Sequence, residues 1–283
     1  MKVFVLIPTR NRKELLLKCL DSLTKQTYAN IEIVVIDDGS TDGTKEILKK
    51  KDVTILEGDG NLWWSGAMRM GVDYVLPKSK ATDFVLIQND DTYMEKDFIE
   101  KLVKQSQNNS RMILGTPVYD SFSKKLIHDS HKIINGSFRP VIINSKEEII
   151  PADTLSGRGA LIPIEVFHKI GNFSKIFPQY ASDYDFFCRA KKQGFKIGVT
   201  TKTKTISTNS RPNLSKRVKA QGKLTLKDFF ELYFSRRSSN NLWSSTLITL
   251  MYSPWRYKIY GILRIYGVFF KTFFINVLIN NLK

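Results

Sequence analysis

Residues 31–50 read IEIVVIDDGSTDGTKEILKK. The run from Ile31 to Ile36 is apolar except for Glu32, so it reads as a buried strand. Asp37-Asp38-Gly39-Ser40 carries turn chemistry, and residues 42–50 read as a short helix. The alternation continues on both sides. Upstream, residues 3–7 (VFVLI) form an apolar run closed by Pro8, and residues 12–25 place Leu15, Leu16, Cys19, Leu20 and Leu23 at helical spacing. Downstream, strands are predicted at 53–56, 84–87 and 112–118, with helices at 65–76 and 95–106. Alternating strands and helices argue for an α/β fold: a mainly parallel central sheet flanked by helices on both faces. Polar clusters follow the first, second and fourth strands. In such sheets ligands bind at the carboxyl ends of strands, so these clusters should converge.

Residues 119–150 are less regular, and the alternation at 137–143 suggests a hairpin-like insertion. Helices are expected again at 163–170 and 182–193, and strands at 195–199 and 204–207. With 283 residues, 42% hydrophobic and 25% charged, the chain has an ordinary globular composition and excludes global disorder. Cys19 and Cys188 have no C-x-x-C spacing and sit in expected helices, as reduced thiols of a cytosolic protein do. The first apolar run is too short for a signal peptide, and no uncharged apolar stretch is long enough for a clean membrane span.

The net charge of +17 is uneven. From Thr200 onward there are 15 basic and 2 acidic residues; before it there are 29 basic and 25 acidic. A basic surplus suggests nucleic acid, anionic lipid or a phosphorylated substrate.

Each chemistry-bearing cluster admits two readings. Asp90-Asp91 follows an apolar strand, where adjacent carboxylates repel unless compensated. A divalent cation shared with substrate phosphates would compensate them; so would the donors of a helix-capping loop. Asp37 and Asp38 could accept hydrogen bonds from a base or ribose, or could serve only as turn and cap. Pro8-Thr9-Arg10-Asn11 has the same pair of readings. In residues 58–66 (GDGNLWWSG), Ser65 and Gly66 would open a helix whose free N–H groups favour phosphate. The two tryptophans in that loop are a buried wall or a sugar platform. Gly157-Arg158-Gly159 is a connecting loop or an anion-binding one. Asp183 and Asp185 would not share a helix face, so a salt bridge at Asp185 would leave Asp183 to the cleft. His128, His131 and His168 show no metal or triad spacing and take surface or hairpin roles. No P-loop, no G-x-G-x-x-G after the first strand and no G-x-S-x-G are present.

Taken in order, IPTRNR (7–12), VIDDGSTDGT (35–44), GNLWWSGAMRMG (60–71), IQNDDT (87–92), LSGRGALIP (155–163) and ASDYDFFCRAKKQGF (181–195) resemble the inverting family 2 glycosyltransferases of GT-A fold. The tryptophan-bearing stretch is similar to bacterial members that build surface polysaccharides, including rhamnosyltransferase-like ones. The resemblance implies a catalytic domain at 1–210, with a nucleotide-binding half to about 115 and an acceptor half beyond it. It implies a nucleotide-sugar site of Pro8, Thr9, Arg10, Asp37, Asp38, Trp64, Gly66 and Asp90. It further implies Asp91 as ligand to Mg²⁺ or Mn²⁺, and an acceptor site of Gly157, Arg158, Gly159 and Tyr184. Asp183 matches the position of the catalytic base. Asn89 stands where the family's D-x-D begins, and Ser182 where many relatives carry Glu. Two other classes are weighed against this one. A nucleotidyltransferase should carry a basic glycine-rich loop after the first strand, and residues 8–11 have no glycine. A non-catalytic nucleic-acid-binding or scaffold protein rests on charge alone, and the expected partners do not include nucleic acid.

Residues 211–283 form the second expected region. The segment 202–237 carries Lys202, Lys204, Arg211, Lys216, Arg217, Lys219, Lys223, Lys227, Arg236 and Arg237. From Asn240 on there are five cations, no acids and ten aromatics. Arg264 and Lys271 would share a helix face, opposite Ile262, Ile265, Phe269 and Phe273. Such helices lie in an anionic membrane interface, or pack on the body or in a homodimer. The expectation is an enzyme peripheral on the inner face of the cell membrane, using a polyprenyl-diphosphate-linked saccharide acceptor.

Overall fold

The computed structural model describes residues 1–127, 130–135, 137–143, 146–208, 224–236 and 238–278. His128, Arg211, Lys216, Arg217, Lys219, Lys223, Arg237 and Lys283 lie outside the described residues.

The opening stretch folds as expected, with β2 (Ile31–Asp37) running into α2 (Thr44–Leu48). Before it come β1 (Val3–Thr9) and α1 (Lys13–Thr24). After it come β3 (Thr54–Glu57), α3 (Trp63–Val75), β4 (Phe84–Ile87), β5 (Thr92–Met94) and α4 (Phe98–Asn108). Further on lie β6 (Ile113–Gly115), β7 (Val118–Asp120) and β8 (Leu126–Ile127). A hairpin of β9 (His131–Ile134) and β10 (Ser137–Pro140) follows. Next are β11 (Ile149–Pro151), β12 (Ala160–Pro163), α5 (Ile164–Ile170), α6 (Ser182–Lys192), β13 (Ile197–Thr200) and β14 (Thr205–Ser207).

The main sheet has eight strands in the order β11-β13-β6-β12-β4-β1-β2-β3. Strands β4, β1, β2 and β3 pair in parallel, as do β13 and β6, while β12 is antiparallel to both its neighbours. This is the helix-flanked, mostly parallel sheet of the GT-A arrangement. Its strands are apolar at successive positions because both faces are covered. Phe4, Leu6, Val34 and Ile36 face Met68 and Val72 of α3 and Phe186 of α6. Val3, Val5, Ile7 and Val35 face Leu16 and Leu20 of α1 and Phe98 and Leu102 of α4. A second sheet, β5-β14-β7-β8, lies in the same compact unit.

Three local expectations are corrected. Asp91-Thr92 does not cap a helix: Thr92 opens β5, and α4 begins only at Phe98. The strand expected over 112–118 is two strands in two sheets, divided at Pro117, which has no N–H to give a ladder. The adjacent tryptophans are not in a loop but are the first two residues of α3.

The chain divides into two compact units. The first comprises Met1–Lys132, Pro140–Pro178 and Asp183–Asn209; the second comprises Ile133–Arg139, Gln179–Ser182 and Ser210–Lys283. The second holds α7 (Leu226–Phe234), α8 (Leu242–Tyr252) and α9 (Trp255–Thr272), extended by a wider turn at Phe273–Leu278. Thr225 and Asp228 form a capping box that starts α7, and the Asn241 side chain caps α8. Ile265, Phe269 and Phe273 pack on Phe229, Leu232, Tyr233 and Leu242. Gly261 lets α9 approach α8, since a Cβ there would lie 2.7 Å from Thr249. No described helix is long and apolar enough to cross a membrane. Cys19 and Cys188 are both free and buried.

Candidate active site

The loop after β4 carries the two adjacent carboxylates, and the end of β1 and the N-cap of α1 supply their partners. Thr9, the last residue of β1, donates from Oγ1 to Asp90 Oδ2 at 2.9 Å. Arg12 Nη1 reaches Asp90 Oδ1 at 3.0 Å and Asp91 Oδ2 at 3.3 Å. One guanidinium thus compensates two nearly buried carboxylates that would otherwise repel. Burial, opposed by Arg12 and reinforced by Asp91, pushes the Asp90 carboxyl up to about 6. Burial also works against the charge on Arg12, but Asp90 and Asp91 outweigh it and hold the guanidinium above its ordinary range. The loop backbone is pinned as well. Thr92 Oγ1 donates to the Asn89 carbonyl at 2.7 Å, and Thr208 donates its N–H and its hydroxyl to the Asp91 carbonyl at 2.7 and 2.9 Å.

Asp91 Oδ1 is buried and has no hydrogen-bond partner among the described residues. A buried acceptor oxygen left without a donor or cation costs about 1–3 kcal/mol. Among the described residues no three His, Cys, Asp or Glu side chains gather as a metal cage. A hard divalent cation can be bound through one or two carboxylates plus phosphate oxygens, and the buried, unbonded Asp91 Oδ1 fits that requirement.

The end of β2 organises the neighbouring glycine-rich segment. Asp38 Oδ1 accepts from Gly60 N at 2.8 Å and Leu62 N at 3.2 Å, while its Oδ2 accepts from Trp63 N at 3.2 Å. Asp37 Oδ1 accepts from Ser40 N at 3.0 Å. Arg10 donates to the Gly60 carbonyl, and Pro8 lies in register with Ile36. The expectation of free amides at Ser65 and Gly66 is not met. Ser65 N donates to the Pro178 carbonyl and Gly66 N to the Leu62 carbonyl, each at 3.0 Å. The helix opens two residues early, so those N–H groups fall inside its first turn.

Trp64 joins this side of the site to the other. Its indole N–H donates to Asn89 Oδ1 at 3.2 Å, and its ring meets Phe173 edge-on. A Cβ on Gly157 would lie 2.3 Å from the Trp64 ring, so only glycine fits there. Gly157 N in turn donates to Asp183 Oδ2 at 3.2 Å. A continuous chain of contacts thus runs from Asn89 through Trp64 and Gly157 to Asp183.

Asp183 and Asp185 divide as their spacing suggested. Asp185 is buried and bonded to Arg189 Nε at 2.9 Å, and Arg189 also ties down the carbonyls of Ile170 and Asn172. Asp183 is half-buried at the start of α6. Tyr184 shares a 2.9 Å hydrogen bond between its hydroxyl and His131 Nδ1. Gly159 has φ +78°, and a Cβ there would meet Thr205 Oγ1 at 2.4 Å, so this glycine serves close packing. The Arg158 backbone donates to Ser156 Oγ at 3.3 Å, and its side chain is partly buried.

Sequence reasoning passed over three of these residues. Arg12 is the N-cap of α1, where the helix dipole disfavours a cation. That misplaced charge was the available signal that an anion lies beside it. Asn89 was noticed as a departure from D-x-D, but its indole partner is 25 residues away. His131 carried no local signal, since its partner Tyr184 is 53 residues distant.

The model of the Glycosyl transferase family 2 matches residues 4–171, more than half of the chain, and the chain belongs to this family. It is 36% identical over 109 residues to glycosyltransferase GlyA of Streptococcus pneumoniae, covering 37% of this chain and 15% of that one. It is 25% identical over 183 residues to the low-salt glycan biosynthesis hexosyltransferase Agl10 of Haloferax volcanii, covering 62% and 59%. The chain thus spans less than two thirds of either relative. It is 35% identical over 197 residues to the uncharacterized protein MJ1222 of Methanocaldococcus jannaschii, covering 69% of this chain and 78% of that one. Among solved structures, S. aureus TarS 1–349 in complex with UDP superimposes with a TM-score of 0.61 at 16% identity, over 99% of this chain and 77% of that one. The same protein in complex with UDP-GlcNAc gives 0.60 at 18% identity, with the same coverage. These likenesses establish a shared fold.

Proposed function

We propose that this chain is an inverting glycosyltransferase that moves a sugar from a nucleotide-diphosphate sugar to a hydroxyl of a saccharide acceptor. The observation that carries this reading is the contact chain linking the buried Asp90–Asp91 pair to the half-buried Asp183. It supports one site with an anion-compensating end and a base-bearing end. The UDP and UDP-GlcNAc held by TarS make uridine diphosphate sugars the first donors to test.

In this mechanism Asp183 accepts the proton of the acceptor hydroxyl as its oxygen attacks the anomeric carbon. The bond from that carbon to the diphosphate breaks, and the diphosphate leaves with the electron pair, so one displacement inverts the configuration. An ordinary carboxylate suffices, because the hydroxyl becomes acidic only as the new bond forms. Thr9 and Arg12 hold Asp90 and orient Asp91 at the donor end. Gly157 N–H holds Asp183 Oδ2 at 3.2 Å and Tyr184 N–H holds Oδ1 at 2.9 Å, so backbone donors orient both oxygens of the carboxylate that takes the proton. Mg²⁺ or Mn²⁺, held by Asp91, would supply neutralisation of the charge gathering on the leaving diphosphate. The acceptor in this reading is a lipid-linked saccharide of bacterial surface polysaccharide synthesis, met at the inner face of the cell membrane. Asp183→Asn is expected to lower transfer at least about a thousandfold while donor binding persists. Full transfer by this variant would remove Asp183 as the base, and loss of donor binding would make it a structural residue.

A further inference from the structure

The last long helix has two apolar faces, and only one is covered. Ile265, Phe269 and Phe273 pack into the cluster of α7 and α8. The other face carries Trp255, Ile259, Leu263, Tyr266 and Phe270, spaced four, four, three and four residues apart, which is one stripe of an α-helix. Trp255 is 83% exposed, Ile259 73% and Leu263 67%. Helix α7 adds Leu226, Phe230 and Phe234 at every fourth position, all exposed. The two stripes adjoin: the Phe234 ring meets Phe269 edge-on, and Phe269 is next to the outward Phe270. Soluble chains rarely leave so much contiguous apolar surface without a partner.

We propose that this face of the second unit is a docking surface for an anionic lipid bilayer. The inference rests on the reading of the acceptor as lipid-linked and gives that acceptor's surface a place to be met. Charge selects the occupant. Between Asn240 and Lys283 there is no acidic residue, while Arg256, Lys258, Arg264 and Lys271 lie along α9. A second copy of the chain would set these cations against their own kind, whereas anionic headgroups compensate them. The exposed Trp255, Tyr260 and Tyr266 each join an apolar ring to a polar tip, which suits the headgroup boundary. Because no described helix can span the membrane, α9 lies along the surface, with its cations reaching the headgroups.

The test is co-sedimentation of the full chain with phosphatidylcholine vesicles, with and without phosphatidylglycerol. Binding is expected only to the phosphatidylglycerol vesicles and should weaken with salt. Replacing Lys258 or Lys271 by Gln should lower partitioning about fivefold each. Ile259→Glu with Leu263→Glu should abolish it, with an unchanged thermal midpoint showing that the fold persists. Equal partitioning of the doubly substituted and unsubstituted chains would overturn the proposal. So would a stable homodimer that binds no vesicles and dissociates on this substitution. Slow hydrolysis of a uridine diphosphate sugar, followed in the same samples, checks the transferase reading separately, because Ile259 and Leu263 are not among the residues assigned to transfer.

Discussion

In the sheet-bearing unit, Phe4, Phe84, Phe98, Phe167 and Phe186 are almost wholly buried. In the helical unit, Trp243, Trp255, Phe230, Phe234 and Phe270 stand largely in solvent. The first unit closes its core from both sides of a sheet, so apolar residues at every strand position find cover. Among its described residues the second has three helices around one small cluster, and apolar faces of two of them stay exposed. The contrast teaches that one unit closes its own core, while the other leaves apolar faces in solvent that the proposed bilayer docking would cover.

The sharpest way to break this comparison sets two aromatics of the helical unit against each other. Phe229→Ala, inside the cluster, is expected to lower stability by about 3–5 kcal/mol, while exposed Trp255→Ala should stay within about 0.5 kcal/mol. Urea unfolding of both variants checks it, and equal losses would show that Trp255 is held by the fold. A second test works within the catalytic unit. Gly157→Ala must displace the Trp64 ring, so transfer should fall about a hundredfold through misplacement of Asp183. Trp64→Phe, which keeps the ring packing but frees Asn89, should lose much less. If the two variants lose transfer equally, the indole hydrogen bond rather than the packing sets the geometry.

The smallest expected effect concerns the start of β2 in the main sheet. Burial would raise the Glu32 carboxyl, but hydrogen bonds from Lys2 and Lys78 hold it below its ordinary value. A carboxyl lowered in the folded state stabilises fully above its unfolded value and loses that contribution as pH falls through the folded one. Glu32→Gln should therefore lower the thermal midpoint slightly near neutral pH, by less than about 1 kcal/mol, and not at all in strong acid. A deficit that persists in acid would show that packing, not the ion pair, is lost.

Residues 31–50 and the runs around them determined the layered α/β fold from sequence alone, because a strand buried on both faces must be apolar at every position. The spacing of Asp183 and Asp185 likewise separated the half-buried carboxylate from the one bonded to Arg189, since helical geometry is local. The break at Pro117 was less legible, because which sheet a strand joins depends on distant partners. Arg12 offered only the signal of a cation at a helix N-cap, and Asn89 and His131 carried none that named their partners, which lie 25 and 53 residues away. The charge asymmetry and the aromatic content of the C-terminal helices were plain in the sequence. Only the tertiary structure decided which aromatics those helices bury among themselves and which they leave exposed, because packing three helices together uses one face of each and leaves the others to find their own partner.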